Sequence, residues 1–382
     1  MKILVLGYGN IGSVLAADLA ESMPSTTVVI AGRRVKRAKE AAIAIRKENV
    51  TSIGLDANDY HELVRTMKEF DLVIGTLPGN VGYQSVKAAI DAKVDAVDVS
   101  YMPEDPLTLN EDAVEANVTI VPDCGVAPGL SNLLVGHAIS KLDKVENVYI
   151  MVGGLPEEPV PPLGYTITWS VENLLDEYTR KAKIVENSKV VEVEALTGLE
   201  VVEFLGVGKL ESFYTDGLRT LLYMAKGVKN MWEKTLRYPG HVEKIKLLKA
   251  LGFLDEHPIE IENIQLPPRR VTVKLLEKKL RRPEIRDVLA MKAEVSGTAR
   301  GAERCYVYHL LDCYDKEHGV TAMARTTAFP ASILAQLIAQ KTIEEKGVVP
   351  LEKLGIKEKI FNKIIAELEK RRVKIVESLR HQ

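Results

Sequence analysis

The sequence lacks most of what would cross-link it, bind a metal or place it in a membrane. Its 382 residues include three cysteines, Cys124, Cys305 and Cys313, and no C-x-x-C pairing joins them. The seven histidines stand at no metal-ligand spacing. A disulfide framework and a zinc site are therefore not expected, and a reducing, cytoplasmic setting fits. No apolar run approaches the ~18 residues of a membrane span. The N-terminal run breaks at Gly7 and Gly9 and soon meets Asp18 and Glu21, so the chain reads as soluble and unprocessed. Charge of one sign is missing too. A net charge of −2 gives no sequence-wide pull toward nucleic acid or an anionic membrane, and neither is expected as a partner, although pairs such as Arg281-Arg282 supply local basic contacts.

What is present is an ordinary globular composition, 46% hydrophobic and 27% charged, in a chain too long for one core, so two domains are expected. The first is organised by residues 1–56. The apolar run Lys2 to Leu6 is followed by Gly7-Tyr8-Gly9-Asn10-Ile11-Gly12, and helical periodicity then runs from Ser13 to Ala20. Strand, G-x-G-x-x-G turn and helix in that order form the dinucleotide fingerprint, in which a helix N-terminus faces a pyrophosphate. Thr27 to Ala31 reads as the second strand and ends in Gly32-Arg33-Arg34, where the reader of the adenosine ribose belongs. An acid there would indicate NAD; guanidinium groups suit a 2′-phosphate, so NADP is the preferred cofactor and NAD the alternative. The same arginines also suit a solvated helix face with Lys36, Arg37 and Lys39.

Further apolar runs at 50–55, 71–75, 96–99 and 118–121 alternate with helical patterns, which predicts a doubly wound parallel sheet of the Rossmann kind. Ligands bind beyond the carboxyl ends of such strands. The informative residues are then Asp56, Thr76-Leu77-Pro78, Asp98-Val99-Ser100 and Asp123-Cys124-Gly125. Asp56 suits the adenine amino group or a helix N-cap. Asp98 and Asp123, at strand ends facing the expected cofactor site, are candidate proton acceptors, or serve helix capping or turn bonding. In the Gly125 to Gly129 turn, with Pro128, the helix from Leu130 to Ile139 presents an N-terminus suited to a nicotinamide amide or a carboxylate, or the turn is structural.

Several runs carry a more specific likeness: Asp98-Val99-Ser100-Tyr101-Met102-Pro103-Glu104, the D-C-G-V-A-P-G-L-S-N run at 123–132, Gly153-Gly154-Leu155-Pro156, Tyr165 to Ser170 and Leu236-Arg237-Tyr238-Pro239-Gly240-His241. Together they resemble the saccharopine dehydrogenase-like family over nearly the whole chain, and within it the members that deaminate lysine. The resemblance implies NAD(P)-dependent oxidation of the ε-amino carbon of L-lysine, giving 2-aminoadipate 6-semialdehyde, which cyclises, and ammonia. It also implies a homodimer through the sheet of the second domain. Saccharopine-forming relatives carry an Asp where this chain has Ala127, which disfavours saccharopine as the substrate. The alternatives are a saccharopine dehydrogenase or related C–N bond-forming reductase, and a non-catalytic NADP sensor.

The expected organisation is a dinucleotide domain over 1–128, an α+β domain on a mixed or antiparallel sheet over 129–329, and a helical tail over 330–382 that packs back on the first domain. In the second domain, strands are expected at 145–152, 163–169, 183–196, 271–276, 287–298 and 305–314. Helices are expected at 171–180, 217–225 and 242–251, with tail helices after Pro330 and over 357–371. A cleft between the domains is expected to house lysine. Arg237 is the candidate carboxylate clamp or a surface ion pair, and His241 a proton acceptor, a helix cap or a packed, hydrogen-bonded residue. Tyr165, Trp169 and Arg180 are candidates to line the lysine pocket, beside Glu172 and Tyr178, although core packing accounts for Trp169 and Tyr178 as well.

Overall fold

The computed structural model describes residues 1–282 and 284–380. It divides the chain into two compact units, Met1–Lys141 with Ala324–Lys374, and Leu142–Met323 with the segment from Ile375.

The first unit alternates β1 (Lys2–Leu6), β2 (Thr27–Gly32), β3 (Val50–Gly54), β4 (Leu72–Gly75), β5 (Asp95–Asp98) and β6 (Thr119–Val121) with α1 (Asn10–Ser22), α2 (Val35–Ile45), α3 (Tyr60–Met67), α4 (Gly79–Ala92) and α5 (Asn110–Glu115); α6 (Leu130–Ser140) follows. Continuous rather than alternating apolar runs form these strands because helices cover both faces of a parallel sheet. Ile3, Leu4, Val5, Ile30 and Ile74 are fully buried.

In the second unit, β7 (Lys144–Pro156), β8 (Ala182–Glu186), β9 (Lys189–Val193), β10 (Glu200–Phe204), β11 (Gly208–Tyr214), β12 (Asn230–Arg237), β13 (Ile259–Ile261), β14 (Ile264–Leu266), β15 (Asp287–Ala299) and β16 (Ala302–Cys313) accompany α7 (Val171–Thr179), α8 (His241–Ala250) and α9 (Pro268–Leu280). The tail holds α10 (Ala322–Ala339), β17 (Gly347–Val348), α11 (Leu351–Gly355), α12 (Glu358–Lys370) and β18 (Ile375–Arg380). The first sheet runs β17-β6-β5-β4-β1-β2-β3, and the second β10-β11-β12-β7-β15-β16-β18 with β8 and β9 attached at β12. All pairs of the first are parallel. The second is mixed, since β12 runs parallel to β7 and its other pairs are antiparallel. The architecture is the expected α/β one, a Rossmann parallel sheet and a second unit on a mixed sheet.

Four local expectations fail. Residues 163–169 join no strand, with a turn through Leu163 and Gly164 (φ +67°) and bends at Thr168 and Trp169: Ile167 N donates to Leu280 O at 3.3 Å and the Thr166 hydroxyl to the same carbonyl at 2.8 Å, at the end of α9. Residues 271–276 are helical despite the β-branched V-T-V. Pro268 at the first helical position fits the start of α9, and Val273, Leu276 and Leu280, spaced i, i+3, i+7, face the core. Helix α10 begins at Ala322 rather than after Pro330, because the distant carboxylate of Asp287 accepts from Ala322 N at 2.7 Å and Met323 N at 3.0 Å. The tail also divides. Its helices and β17 belong to the first unit, but β18 pairs with β16 in the second sheet, where its residues complete an otherwise open edge. Among the described residues, no helix is long and apolar enough to cross a membrane.

Candidate functional site

In the first unit the glycine turn is shaped for a close-lying ligand. Gly7 has φ +114°, and a Cβ on it would stand 2.5 Å from Thr76 Oγ1. A Cβ on Gly12 would stand 2.4 Å from Gly7 O, so the turn and α1 touch backbone to backbone. Gly9 faces open space, with nothing within 4 Å of a built Cβ. Helix α1 has no side-chain cap and no acidic residue in its first turn. Open backbone donors at a helix start, with no competing carboxylate, fit the pyrophosphate of a dinucleotide.

Thr76 is tied to β1, its N–H and hydroxyl both reaching Leu6 O at 2.9 and 2.8 Å. Leu77 packs on the core, and Pro78 caps α4. Arg33 and Arg34 are exposed and make no ion pair among the described residues. Asp56 does not cap a helix. Asp59 does, accepting from Glu62 N at 2.9 Å, while Asp56 Oδ1 closes an Asx turn on Asn58 N and Nδ2 at 3.1 and 2.8 Å. The hydrogen bonds from Asn58 hold the Asp56 carboxyl below its usual range, with a smaller contribution from Arg33.

Beyond the ends of β4, β5 and β6 lies a buried acidic group. Asp98 is 1% exposed; its Oδ1 accepts from Ser100 N at 2.9 Å and Ser100 Oγ at 2.5 Å. Among the described residues its Oδ2 has no hydrogen-bond partner, and it fills the space over Gly75, where a Cβ would come within 2.0 Å. Burial pushes the Asp98 carboxyl up to about 7, against the two Ser100 hydrogen bonds and with help from the Asp123 charge. Val99 N bonds to Gly75 O at 3.0 Å, and Cys124 N to Asp98 O at 2.8 Å. Burial, then the Asp98 and Asp123 charges, push the Cys124 thiol well up, which makes it an inert thiol. Asp123 is buried with φ +53°.

The start of α6 is not the open N-terminus expected. Leu130 N and Ser131 N donate to Gly125 O and Val126 O at 2.9 and 3.0 Å, and Gly129 N donates to Asn132 Oδ1 at 3.2 Å. The turn containing the buried Pro128 satisfies those donors from within.

The second unit holds a polar cluster against α7, and it changes two assignments. Arg237 is the last residue of β12, not a loop residue, and is 2% exposed. Its Nη2 pairs with Glu177 at 2.6 Å, its Nη1 donates to Leu236 O at 2.9 Å, and its guanidinium lies 4.7 Å above the Tyr165 ring. Arg237 is therefore neither an open carboxylate clamp nor a surface ion pair. Burial raises the Glu177 carboxyl in spite of this partner. His241 is not a base near neutral pH. Its Nδ1 faces Leu163 O at 2.9 Å, so that nitrogen carries the proton and Nε2 accepts from Tyr178 OH at 2.8 Å. Burial, then the Arg237 charge, brings its pKa down to about 3. The Tyr165 hydroxyl accepts from half-buried Trp169 Nε1 at 3.1 Å.

Arg180 pairs with Asp176 at 3.5 Å and Asp216 at 3.6 Å; Arg219, left-handed at φ +52°, reaches the same Asp216 at 3.7 Å. Sequence reasoning overlooked Arg219, Glu177 and Glu211. Glu211 accepts from Gly240 N at 3.1 Å and Val242 N at 2.5 Å and so caps α8. Only the polar residues within otherwise buried α7 and β11 hinted at Glu177 and Glu211, and nothing singled out Arg219, which opens a 3-10 turn after β11. Asp315, Glu317 and His318 bring three potential metal ligands within 4.8 Å of one another on an exposed turn. The turn itself takes them up, since Asp315 accepts from Glu317 N, His318 N and His318 Nδ1 at 3.0, 3.2 and 3.0 Å.

A doubly wound sheet with an open glycine turn and basic residues after its second strand defines a dinucleotide-binding protein of the Rossmann class. Residues 3–121 match the saccharopine dehydrogenase NADP binding domain and residues 125–373 the saccharopine dehydrogenase C-terminal domain. The chain belongs to the saccharopine dehydrogenase family, and its cofactor is NADP. It is 29% identical over 290 residues to saccharopine dehydrogenase [NADP(+), L-glutamate-forming] of Schizosaccharomyces pombe, covering 72% of this chain and 64% of the relative. Carboxyaminopropylagmatine dehydrogenase of Synechocystis is 21% identical over 372 residues, covering 92% of each. The chain spans 60–64% of the length of the fungal relatives it matches. The apo structure of the L-Glu-forming saccharopine dehydrogenase of Saccharomyces cerevisiae shares the fold, with a TM-score of 0.79, 21% identity and 99% of each chain covered.

Proposed function

We propose that the protein oxidises the carbon of a lysine-type C–N bond, and specifically that it removes the ε-amino group of L-lysine as ammonia (a lysine 6-dehydrogenase). The observation that carries this reading is the Asp98 carboxyl, buried at the strand ends of the NADP-binding unit with a pKa near neutrality. A substrate ammonium starts near pKa ~10.4 and must lose a proton before its carbon can give up hydride. Asp98, with Asp123 beside it, accepts that proton, and Ser100 fixes the acceptor in place. NADP, when bound, supplies the hydride acceptor. In this reading the Gly7–Gly12 turn and the start of α1 hold the pyrophosphate, and Arg33 and Arg34 hold the 2′-phosphate. Thr76, Leu77, Pro78, Val99, Ser100 and Pro128 line the nicotinamide end, and Asp56 the adenine. In the second unit Tyr165, Trp169 and Arg180 contact the substrate, and Arg237, held by Glu177, does not. The enzyme acts as a cytoplasmic homodimer.

The second reading is saccharopine oxidation, favoured by the names of the fungal relatives. It meets Ala127, where no carboxylate is present to pair with a secondary amine. NADP reduction at 340 nm with L-lysine and with saccharopine, assayed in parallel for ammonia and glutamate, separates the two. Lysine-dependent reduction with one ammonia per NADPH supports the deaminase, saccharopine-dependent reduction with glutamate release supports the alternative, and turnover with neither removes both.

A further inference from the structure

In an NAD-binding sheet a carboxylate just past the second strand reads the ribose hydroxyls. Here β2 ends on Gly32, paired with Gly54 of β3. The backbone does not require a glycine at this position, because Gly32 is absent from the residues with positive φ. Space requires it. A Cβ on Gly32 would stand 2.2 Å from Tyr8 Cε1 and 2.5 Å from Tyr8 Cδ1, far inside van der Waals contact. Tyr8 stands between Gly7 and Gly9 in the sequence, and its ring lies against Gly32 at the end of β2. Directly after Gly32 come exposed Arg33 and Arg34, with Asp56 close enough to Arg33 to feel its charge.

We propose that Tyr8 selects NADP over NAD: its ring fills the space over Gly32 in which a ribose-reading carboxylate would stand, and leaves that corner of the nucleotide to Arg33 and Arg34. The proposal rests on the binding of NADP by the first unit. An aspartate at position 32 and the Tyr8 ring in its present rotamer exclude each other, so the two positions are coupled. Position 32 can gain an NAD-reading carboxylate only when the ring moves off it.

The test is a binding cycle on the full chain, with dissociation constants for NADPH and NADH from nucleotide fluorescence and a thermal melt of each variant. Relative to Tyr8→Ala, the double variant Tyr8→Ala/Gly32→Asp is expected to bind NADH about tenfold more tightly and NADPH about tenfold more weakly, as one charge-assisted pair of hydrogen bonds is gained and a 2′-phosphate is repelled. With Tyr8 retained, Gly32→Asp is expected to leave NADH affinity within about twofold of the parent. No NADH gain in the Tyr8→Ala background overturns the proposal, as does a folded Gly32→Asp variant that gains as much as the double one. If Gly32→Asp does not fold, the two Tyr8→Ala chains decide alone. A parent chain that binds neither nucleotide removes the NADP reading itself, whereas a parent that binds NADPH without this coupling removes only the role of Tyr8.

Discussion

Two buried titratable residues bias stability in opposite directions. Asp98 ionises at about 7 when folded and near ~3.9 when unfolded. Between those values the folded chain holds a proton that the unfolded chain has lost, so stability falls as pH rises and the full cost is reached above about 7. The cost is on the order of 4 kcal/mol. In Asp98→Asn the carbonyl still accepts from Ser100 while the slope disappears. Denaturant melts should show the variant gaining on the parent from pH 4 to pH 8, and a constant difference across that range would remove the raised carboxyl. His241 does the reverse. Its folded value of about 3 lies below the ~6.5 of the unfolded chain, so its contribution is present above about 6.5 and is lost as pH falls toward 3. NMR of the His241 ring is expected to show no titration between pH 8 and pH 5, and a midpoint near 6.5 would contradict the buried neutral ring.

At the scale of elements, α12 is held to α1 by one arginine. Arg371 Nε meets Asp18 Oδ1 at 2.7 Å, Nη2 reaches Ser22 Oγ at 2.9 Å, and Nη1 meets Glu367 Oε2 at 2.9 Å. The Arg371 and Asp18 side chains are 10% and 11% exposed. Arg371→Ala leaves Asp18, among the described residues, with the Ser332 hydroxyl and is expected to cost about 2–4 kcal/mol in urea melts; a loss under about 0.5 kcal/mol, that of a surface pair, would show that the contact does not hold the tail. None of this was legible in the sequence, because residues 18 and 371 are joined only by the fold. The parallel sheet was legible, because strands covered on both faces are written as unbroken apolar runs such as Lys2 to Leu6 and Leu72 to Gly75. Edge strands such as β10, Glu200–Phe204, mix Glu with Val and were missed. Arg237 was legible as unusual and misassigned, while His241 was left between a proton acceptor and a packed, hydrogen-bonded residue, since only burial, partners and tautomer separate a functional side chain from a structural one. The glycine turn could be placed from sequence because its function is a backbone shape, and glycine spacing records that shape directly.

At the scale of the molecule the chain passes between the two units at 141/142, 323/324 and 374/375. The middle crossing falls inside α10, whose first two residues are fixed by Asp287. Melting one unit thus unravels a helix that starts in the other, and releases both ends of the segment that carries β18 into the second sheet. Cooperative unfolding is the expected consequence, and the two tryptophans allow it to be measured. Trp169 and Trp232 both lie in the second unit, whereas residues 3–121, the NADP-binding domain, lie in the first. NADPH at a hundred times its Kd stabilises the form that binds it by about 2.7 kcal/mol. The tryptophan-monitored melt should therefore rise by a few degrees, together with the far-ultraviolet circular dichroism melt, although no tryptophan lies in the unit that takes the nucleotide. A dichroism midpoint that moves while the tryptophan midpoint stays would mean that the units unfold separately and that the shared helix breaks at the crossing.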